Sequence, residues 1–256
     1  MKNVKKFLSK LPFIGKKIQR YHRKKNRYVF DKPTVWIERL LPNEPIQIVQ
    51  IGSNDGMHGD PLRDLIKKND QWNALFVEPI PYLFEKLKTN YGEETRFSFE
   101  NSAINNGTEQ IFYSVKEEAK NHVQNLPKWY DQLGSFKREN ITKHLNGALE
   151  PYIIEMRLTG LTLDGLFQKH GIQKLQLLHI DTEGYDWNVL SQLDLKSYQP
   201  QIILFEHVHL TTEEKSNAIN HLKSKYSIVQ VGNDMICLKR DIYELKDLDL
   251  NGKKIA

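Results

Sequence analysis

Cysteine is almost absent from this chain: Cys237 is the single one in 256 residues. A lone thiol excludes an internal disulfide framework and a cysteine-rich zinc site, and it fits a reducing compartment. Its setting, Met235-Ile236-Cys237-Leu238, reads as a buried strand. Long apolar runs are also missing. None approaches the roughly 20 residues of a membrane-spanning helix, and a signal peptide's unbroken hydrophobic core is lacking. Acidic residues are absent from residues 1–30, which hold eleven of the 37 Lys and Arg. The rest of the chain therefore carries 26 basic residues against all 32 acidic ones, so the net charge of +5 belongs to the leading segment. A nucleic-acid-binding core is not indicated, because its footprint would be a basic face on the folded domain.

Within residues 1–30, Val4, Phe7, Leu8, Leu11, Ile14 and Ile18 fall at helical spacing among the cations, while Pro12 and Gly15 interrupt a continuous helix. Three readings stay open: attachment of residues 1–28 to an anionic membrane surface, a helix packed on the domain, or a solvated tail. A domain over 31–240 and a charged, mobile tail over 241–256 complete the expected organisation.

A short helix is expected over Pro33 to Leu41, closed by Pro42-Asn43. From Gln47 the pattern alternates. Strands at Gln47–Ile51, Asn73–Val77 and Arg96–Phe99 are separated by helical stretches at Pro61–Lys68 and Pro81–Asn90. Asn105-Asn106-Gly107 is a turn into an alternating strand, Glu109–Val115. Residues 116–150 break the regularity with Trp129, Tyr130, Phe136, His122 and His144 among Lys137, Arg138 and Lys143. This insertion reads as a lid or acceptor-binding segment, or as a surface excursion with its own small core. A strand at Tyr152–Arg157, a helix over Thr162–Lys169 with Thr162 as N-cap, and a strand at Leu175–Ile180 follow. Then come another helix, a strand at Gln201–Phe205, a helix over Glu213–Lys223 and a hairpin turning at Gly232-Asn233-Asp234. Such alternation predicts an α/β fold: a doubly wound, mainly parallel sheet ending in an antiparallel β-hairpin.

Ligands bind such sheets at the carboxyl ends of the strands. There the first strand runs into Gly52-Ser53-Asn54-Asp55-Gly56, where glycine lets backbone approach a ligand closely. The middle glycine of a dinucleotide fingerprint is missing, and Asp55 would repel a phosphate. A ligand with hydroxyls and an ammonium group, such as S-adenosylmethionine, suits this turn better. Glu78 ends the second strand about twenty residues on, where nucleotide folds place a ribose-binding acid. Ser102 and Ala103, beyond the third strand, border an adenine or form a small-residue turn.

Asp181 and Glu183 would share one side if the strand before them persisted. Such a pair, joined by Glu206 or His207, could hold a divalent cation that orients an acceptor hydroxyl. It could instead contact the ligand's ammonium or the acceptor, and Asp181 could simply cap the next helix. A hydroxyl acceptor must lose a proton, for which His144, His207 and His209 are candidates; His179, out of phase with Asp181, reads as a packed strand residue.

Together, Ile51-Gly52-Ser53-Asn54-Asp55-Gly56, Val77-Glu78-Pro79, Asn101-Ser102-Ala103-Ile104, Leu161-Thr162-Leu163-Asp164 and His179-Ile180-Asp181-Thr182-Glu183-Gly184 resemble the FkbM-type family of S-adenosylmethionine-dependent methyltransferases. The resemblance covers Gln47 to Arg240 and implies a class I methyltransferase domain that O-methylates sugars or polyketide-like hydroxyls. It also implies that the Gly52–Gly56 loop and Glu78 bind the cofactor and that Asp181 and Glu183 border the reaction centre. Ser53-Asn54 departs from the family's usual glycine loop, and the 116–150 insertion matches nothing in it. A basic tail beside such a domain suits lipid-linked glycans at the cytoplasmic, inner face of a membrane. The rival readings are a nicotinamide-dependent oxidoreductase and a methyltransferase-like binding subunit without turnover.

Overall fold

The structure, a computed structural model, describes residues 32–41, 44–243 and 253–254. The basic segment 1–30 and most of 244–256 lie outside the described residues. Among those described, no helix is long and apolar enough to cross a membrane.

The first helix, α1, spans Pro33–Leu40. Proline at its start loses no hydrogen bond, and Leu41, which precedes Pro42, turns to extended backbone (φ −85°, ψ 133°), as a residue before proline prefers. Strand β1 (Ile46–Ile51) enters the middle of the sheet, and only its second residue is not buried. Helix α2 (Arg63–Lys68) leads to β2 (Trp72–Val77), and α3 (Pro81–Tyr91) to β3 (Phe97–Glu100). Helix α3 buries Leu83, Leu87 and Tyr91, four residues apart on one face.

The chain then leaves the sheet. Asn105 accepts the Gly107 N–H on its side chain at 2.8 Å, and the resulting turn reverses the backbone into β4 (Glu109–Val115). Strand β4 pairs over its full length with β5 (Ile153–Thr159) in a separate antiparallel ribbon. The excursion from the main sheet therefore runs from Glu109 to Thr159, wider than the insertion expected over 116–150. Both strands were expected from the sequence, β4 by its alternation, but alternation carries no information about a strand's partner. Phe112, Met156 and Leu158 of the ribbon pack on Ile80 and Leu83 at the start of α3. Between the two strands, short turns and α4 (Arg138–Thr142) gather around a core of Val115, Ala119, Tyr130, Leu133, Ile141 and Leu149.

Helix α5 (Leu163–Lys169) is capped by Thr162, whose hydroxyl accepts the Gly165 N–H at 3.0 Å. It returns the chain to β6 (Leu177–Ile180), followed by α6 (Asp186–Leu190), β7 (Ile202–Glu206), α7 (Thr212–Leu222), β8 (Tyr226–Val231) and β9 (Asp234–Lys239). A capping box of Thr211 and Glu214 starts α7. Lys253–Lys254 forms β10. The sheet order is β3-β2-β1-β6-β7-β9-β8-β10. Strands β3, β2, β1, β6 and β7 pair in parallel, while β9 pairs antiparallel to both β7 and β8. This is the doubly wound sheet with a C-terminal hairpin that the sequence predicts.

Alternating strand residues feed two cores. Val49, Ile51, Leu178, Ile180, Ile203 and Phe205 meet α5 through Leu163, Leu166 and Phe167. On the opposite face Ile46, Ile48, Leu177, Ile202 and Leu204 meet Trp36 and Ile37 of α1. After β9, Tyr243 donates its hydroxyl to the Leu40 carbonyl at 3.0 Å, tying the end of the described domain to its beginning. The order of strands reverses between β1 and β6, and such a reversal opens a crevice at the strands' carboxyl ends.

Candidate functional site

A cleft of about 490 Å³, counted out to its mouth, occupies that crevice. Its floor is Gly52 and Asn54 after β1, Glu78 after β2, Ser102 and Ala103 after β3, and Asp181, Thr182 and Glu183 after β6. Gln132, Gly134, Ser135 and Phe136 of the insertion, with Phe112 of the ribbon, form the opposing wall.

The β1 turn is held by its neighbours. The Gly52 and Ser53 N–H groups both donate to the Val77 carbonyl at 3.0 Å. A side chain at Gly52 would fall 1.7 Å from the Asp181 carbonyl oxygen, and φ is +81° there. The glycine thus answers the close approach of β6, besides any ligand. At Gly56 a side chain would meet Leu87 at 2.6 Å, so this glycine seats α3 against the turn. Ser53 is buried, its hydroxyl donating to the Gln50 carbonyl at 3.0 Å. Asp55 accepts the Met57 and His58 N–H groups at 2.9 and 2.8 Å and contacts His58 Nδ1 at 2.7 Å. Burial pushes this carboxyl up, but the bonds from His58 and Met57 outweigh it and hold it below its usual range. Ser53, Asp55 and Gly56 therefore stand behind the turn, while Gly52 and Asn54 face the cleft.

Glu78 is 2 % exposed. One carboxylate oxygen accepts the Asn54 N–H at 2.9 Å and the other the Ile80 N–H at 2.8 Å. Burial, with a smaller contribution from the charge on Asp55, raises its pKa to about 7. Each oxygen keeps capacity for one more donor, which suits a vicinal diol. Ser102 and Ala103 are placed by a lock between two motifs. The Leu161 N–H donates to the Ala103 carbonyl at 2.9 Å, and the Asn105 N–H to the Leu161 carbonyl at 2.8 Å. Leu163 of the same Leu161-Thr162-Leu163-Asp164 run is buried in the core.

Strand β6 ends at Ile180, so strand alternation does not set the relation of Asp181 to Glu183. Glu183 instead takes left-handed backbone, φ +51°. Its carbonyl accepts the Asn140 side-chain amide at 2.7 Å and the Ser135 hydroxyl at 3.3 Å. Asp186 braces the loop from the other side, accepting the Thr182 and Gly184 N–H groups at 3.2 and 3.1 Å. The helix that follows starts at an N-cap of Tyr185 with no side-chain cap, so Asp181 does not cap it. Burial raises Asp181, with Asp60 adding to it; burial and then Asp181 and Asp186 raise Glu183; burial and then Asp181 and Glu183 raise Glu206.

Beside Glu183 the cleft meets a second group of residues. Ligating atoms of His144, Glu183 and His209 lie within 4.8 Å of one another. His209 Nε2 stands 3.5 Å from Glu183 Oε2 and 3.6 Å from Glu206 Oε2. Trp129 of the insertion, 41 % exposed, packs edge-on to His144 with ring centroids 5.6 Å apart. His207 is buried apart from this group, its N–H donating to the Asn233 carbonyl at 2.9 Å. His179 is buried within β6, and burial lowers its pKa to about 4. Of the residues considered for a cation, Glu183 and Glu206 adjoin the cluster and Asp181 lines the cleft. Gln132, Ser135, Asn140 and Asp186 were not singled out in the sequence, whereas Phe136 was among the aromatics that marked the insertion. The first three lie in a segment with no periodic signal, while Asp186, two residues past Gly184, carried a readable helix-start position.

Comparison with known proteins matches residues 50–227, more than half of the chain, to the family model described as the methyltransferase FkbM domain. A search of curated proteins finds no significant match. Among solved structures, the chain is similar to the Methanococcus jannaschii fibrillarin pre-rRNA processing protein (9 % identity, 78 % of this chain and 68 % of that one, TM-score 0.42). It is also similar to a TehB-like SAM-dependent methyltransferase from Corynebacterium glutamicum (8 %, 80 % and 85 %, TM-score 0.36). A third is the N-methyltransferase NodS from Bradyrhizobium japonicum (8 %, 90 % and 97 %, TM-score 0.37). On the family match, the chain belongs to the FkbM family of S-adenosylmethionine-dependent methyltransferases.

Proposed function

We propose that this methyltransferase acts on a hydroxyl group, that of a sugar or glycan. The observation that carries the reading is the position of Glu183, which is both a wall of the cleft and a member of the His144–His209 cluster. A cofactor side and an acceptor side thus meet at one carboxylate.

The cofactor side fits S-adenosylmethionine. Glu78 offers two oxygens to the ribose hydroxyls, Gly52 and Asn54 present backbone, and Val77, Ile80, Ala103, Ile104 and Phe112 form an apolar slot for the adenine. When bound, S-adenosylmethionine supplies a methyl carbon activated by its sulfonium. The chain's part is alignment and removal of a proton. Asp181 and Glu183, both held above the ordinary carboxylate range by burial, are matched to take a hydroxyl proton near neutral pH. Trp129 gives the acceptor side an exposed aromatic face, which suits the C–H face of a sugar ring.

Membership in a methyltransferase family leaves the nicotinamide reading without support. The test of acceptor class is incubation with methyl-labelled S-adenosylmethionine and a panel of mono- and oligosaccharides, with the product's methyl group assigned by NMR. An O-methyl product is expected. Methyl on nitrogen or carbon would overturn the hydroxyl reading, and cofactor binding without transfer to any acceptor would favour a subunit that has lost turnover. Contact of residues 1–28 with anionic lipid at the inner membrane face belongs to the same proposal and rests on their eleven cations. Deleting them should release the protein from phosphatidylserine vesicles; unchanged partitioning would sink that part.

A further inference from the structure

We propose that His144, Glu183 and His209, with Glu206 behind them, bind one divalent first-row transition ion. The four side chains come from three separate stretches: the insertion, the loop after β6, and β7 with the residues that follow it. Their convergence is therefore a product of the fold and not of a local acidic run. Ligating atoms of the first three lie within 4.8 Å of one another. An ion with bonds of about 2.1 Å requires donors no more than about 4.2 Å apart, so small side-chain rotations would close the set.

A second observation points the same way. Groups this close in a folded protein normally hydrogen-bond, yet the His209 contacts at 3.5 and 3.6 Å are longer than good hydrogen bonds. His144 Nε2 and Glu206 Oε2 are buried without any hydrogen-bond partner. Buried polar atoms left this way carry a cost that a cation would relieve. Asn140 and Ser135 hold the Glu183 backbone carbonyl independently of its carboxylate, and the Lys143 ammonium, which donates to Asn140 Oδ1 at 3.2 Å, lies close enough to act on Glu183 and Glu206.

The donor chemistry selects the class of ion. Two imidazoles with carboxylates suit Mn(II), Fe(II), Co(II), Ni(II) or Zn(II), whereas Mg(II) and Ca(II) prefer all-oxygen sites. This differs from a hard-ion site built on Asp181, Glu183 and Glu206. The use of the site rests on the methyl-transfer reading: an ion here would orient the acceptor oxygen at the Glu183 edge of the cleft. Glu183 would then serve the ion, leaving Asp181, outside the ligand set, as the carboxylate free to take the hydroxyl proton.

The test uses the full chain stripped with a chelator and titrated with Co(II), followed by its d–d absorption, and with Mn(II), followed by the electron-spin signal of the free ion. One equivalent bound with micromolar affinity is expected. His144→Ala and His209→Ala should each weaken binding at least tenfold, while His122→Ala, at an exposed histidine stacked on Tyr152, should leave it unchanged. Absence of a stoichiometric Co(II) spectrum in the wild-type chain would overturn the site whatever the variants do, and so would equal binding by Mg(II) or by both histidine variants. Binding of S-adenosylhomocysteine, measured on the same samples without metal, separates the two readings. Its retention beside failed metal binding removes the ion alone, and its loss beside intact metal binding removes the cofactor reading alone.

Discussion

At the scale of single residues, Glu78 is the sharpest case. Its spacing from the glycine turn named it in the sequence, and the structure surrounds it with two backbone donors and, among the described residues, no cation. A hydrogen bond to a charged group contributes about 1.5–3 kcal/mol, so Glu78→Gln should weaken S-adenosylhomocysteine binding roughly ten- to a hundredfold by calorimetry. Ribose hydroxyls donate to the ionised form, whose pKa is about 7 in the free protein. Affinity should therefore fall as the pH drops from 8 to 6, and Glu78→Gln should flatten that profile. Asn140 is the opposite case. Nothing in its sequence surroundings marks it, because a single side-chain bond to a backbone carbonyl across 43 residues leaves no periodic trace. Asn140→Ala should lower kcat tenfold or more while changing cofactor affinity less than threefold, since it removes the support of Glu183 and touches nothing on the Glu78 side.

At the scale of elements, caps and turns were legible and pairings were not. Thr162 and the Gly232-Asn233 turn announced themselves by residue type, since few side chains cap a helix or tolerate such a turn. Strand β4 also announced itself, but a period of two says only that one face is buried. That its partner is β5 and not the main sheet depends on contacts 38 or more residues apart in the chain, from Val115 with Ile153 outward. The lock between Leu161 and Ala103 was hidden for the same reason, although both motifs were noticed. Thr162→Ala should cost about 1 kcal/mol in denaturant unfolding through loss of the cap. Gly52→Ala tests the approach of β6 to the turn. With a side-chain carbon set 1.7 Å from the Asp181 carbonyl, it should abolish folded, soluble protein.

For the whole molecule, buried ionisable groups set how stability depends on pH. Glu78 and Asp234 have folded pKa values of about 7, raised above the carboxylate range mainly by burial. The folded state thus holds protons that the unfolded chain has already lost, and their contribution is lost as the pH rises through 7. His179 and His209, lowered by burial to about 4, act in reverse: they favour the folded state above pH 6.5, and this contribution is lost as the pH falls toward 4. From pH 7.5, about a unit above the ordinary histidine value, the histidines are neutral in both states. Buried carboxylates such as Glu183 at about 8 and Glu206 at about 9 still lose protons there, so the ligand-free protein should melt at a lower temperature at pH 9 than at 7.5. The difference should be about 2–4 °C for each kcal/mol lost. A flat melting temperature over that interval would show that these groups are not buried as described.

One side chain joins what the two halves of the site do. Gln132 of the insertion donates to the His58 carbonyl at 2.8 Å and reaches Asp55 at 3.4 Å, so the wall over the cleft is fastened to the turn beneath it. The same wall holds Glu183 through Ser135 and Asn140. Fastening of this kind sets an order in which ligands can pass the wall to the cleft floor beneath it. The cofactor should enter before the acceptor and leave after the methylated product, a compulsory order that product-inhibition kinetics would read directly, and Gln132→Ala should turn it toward random.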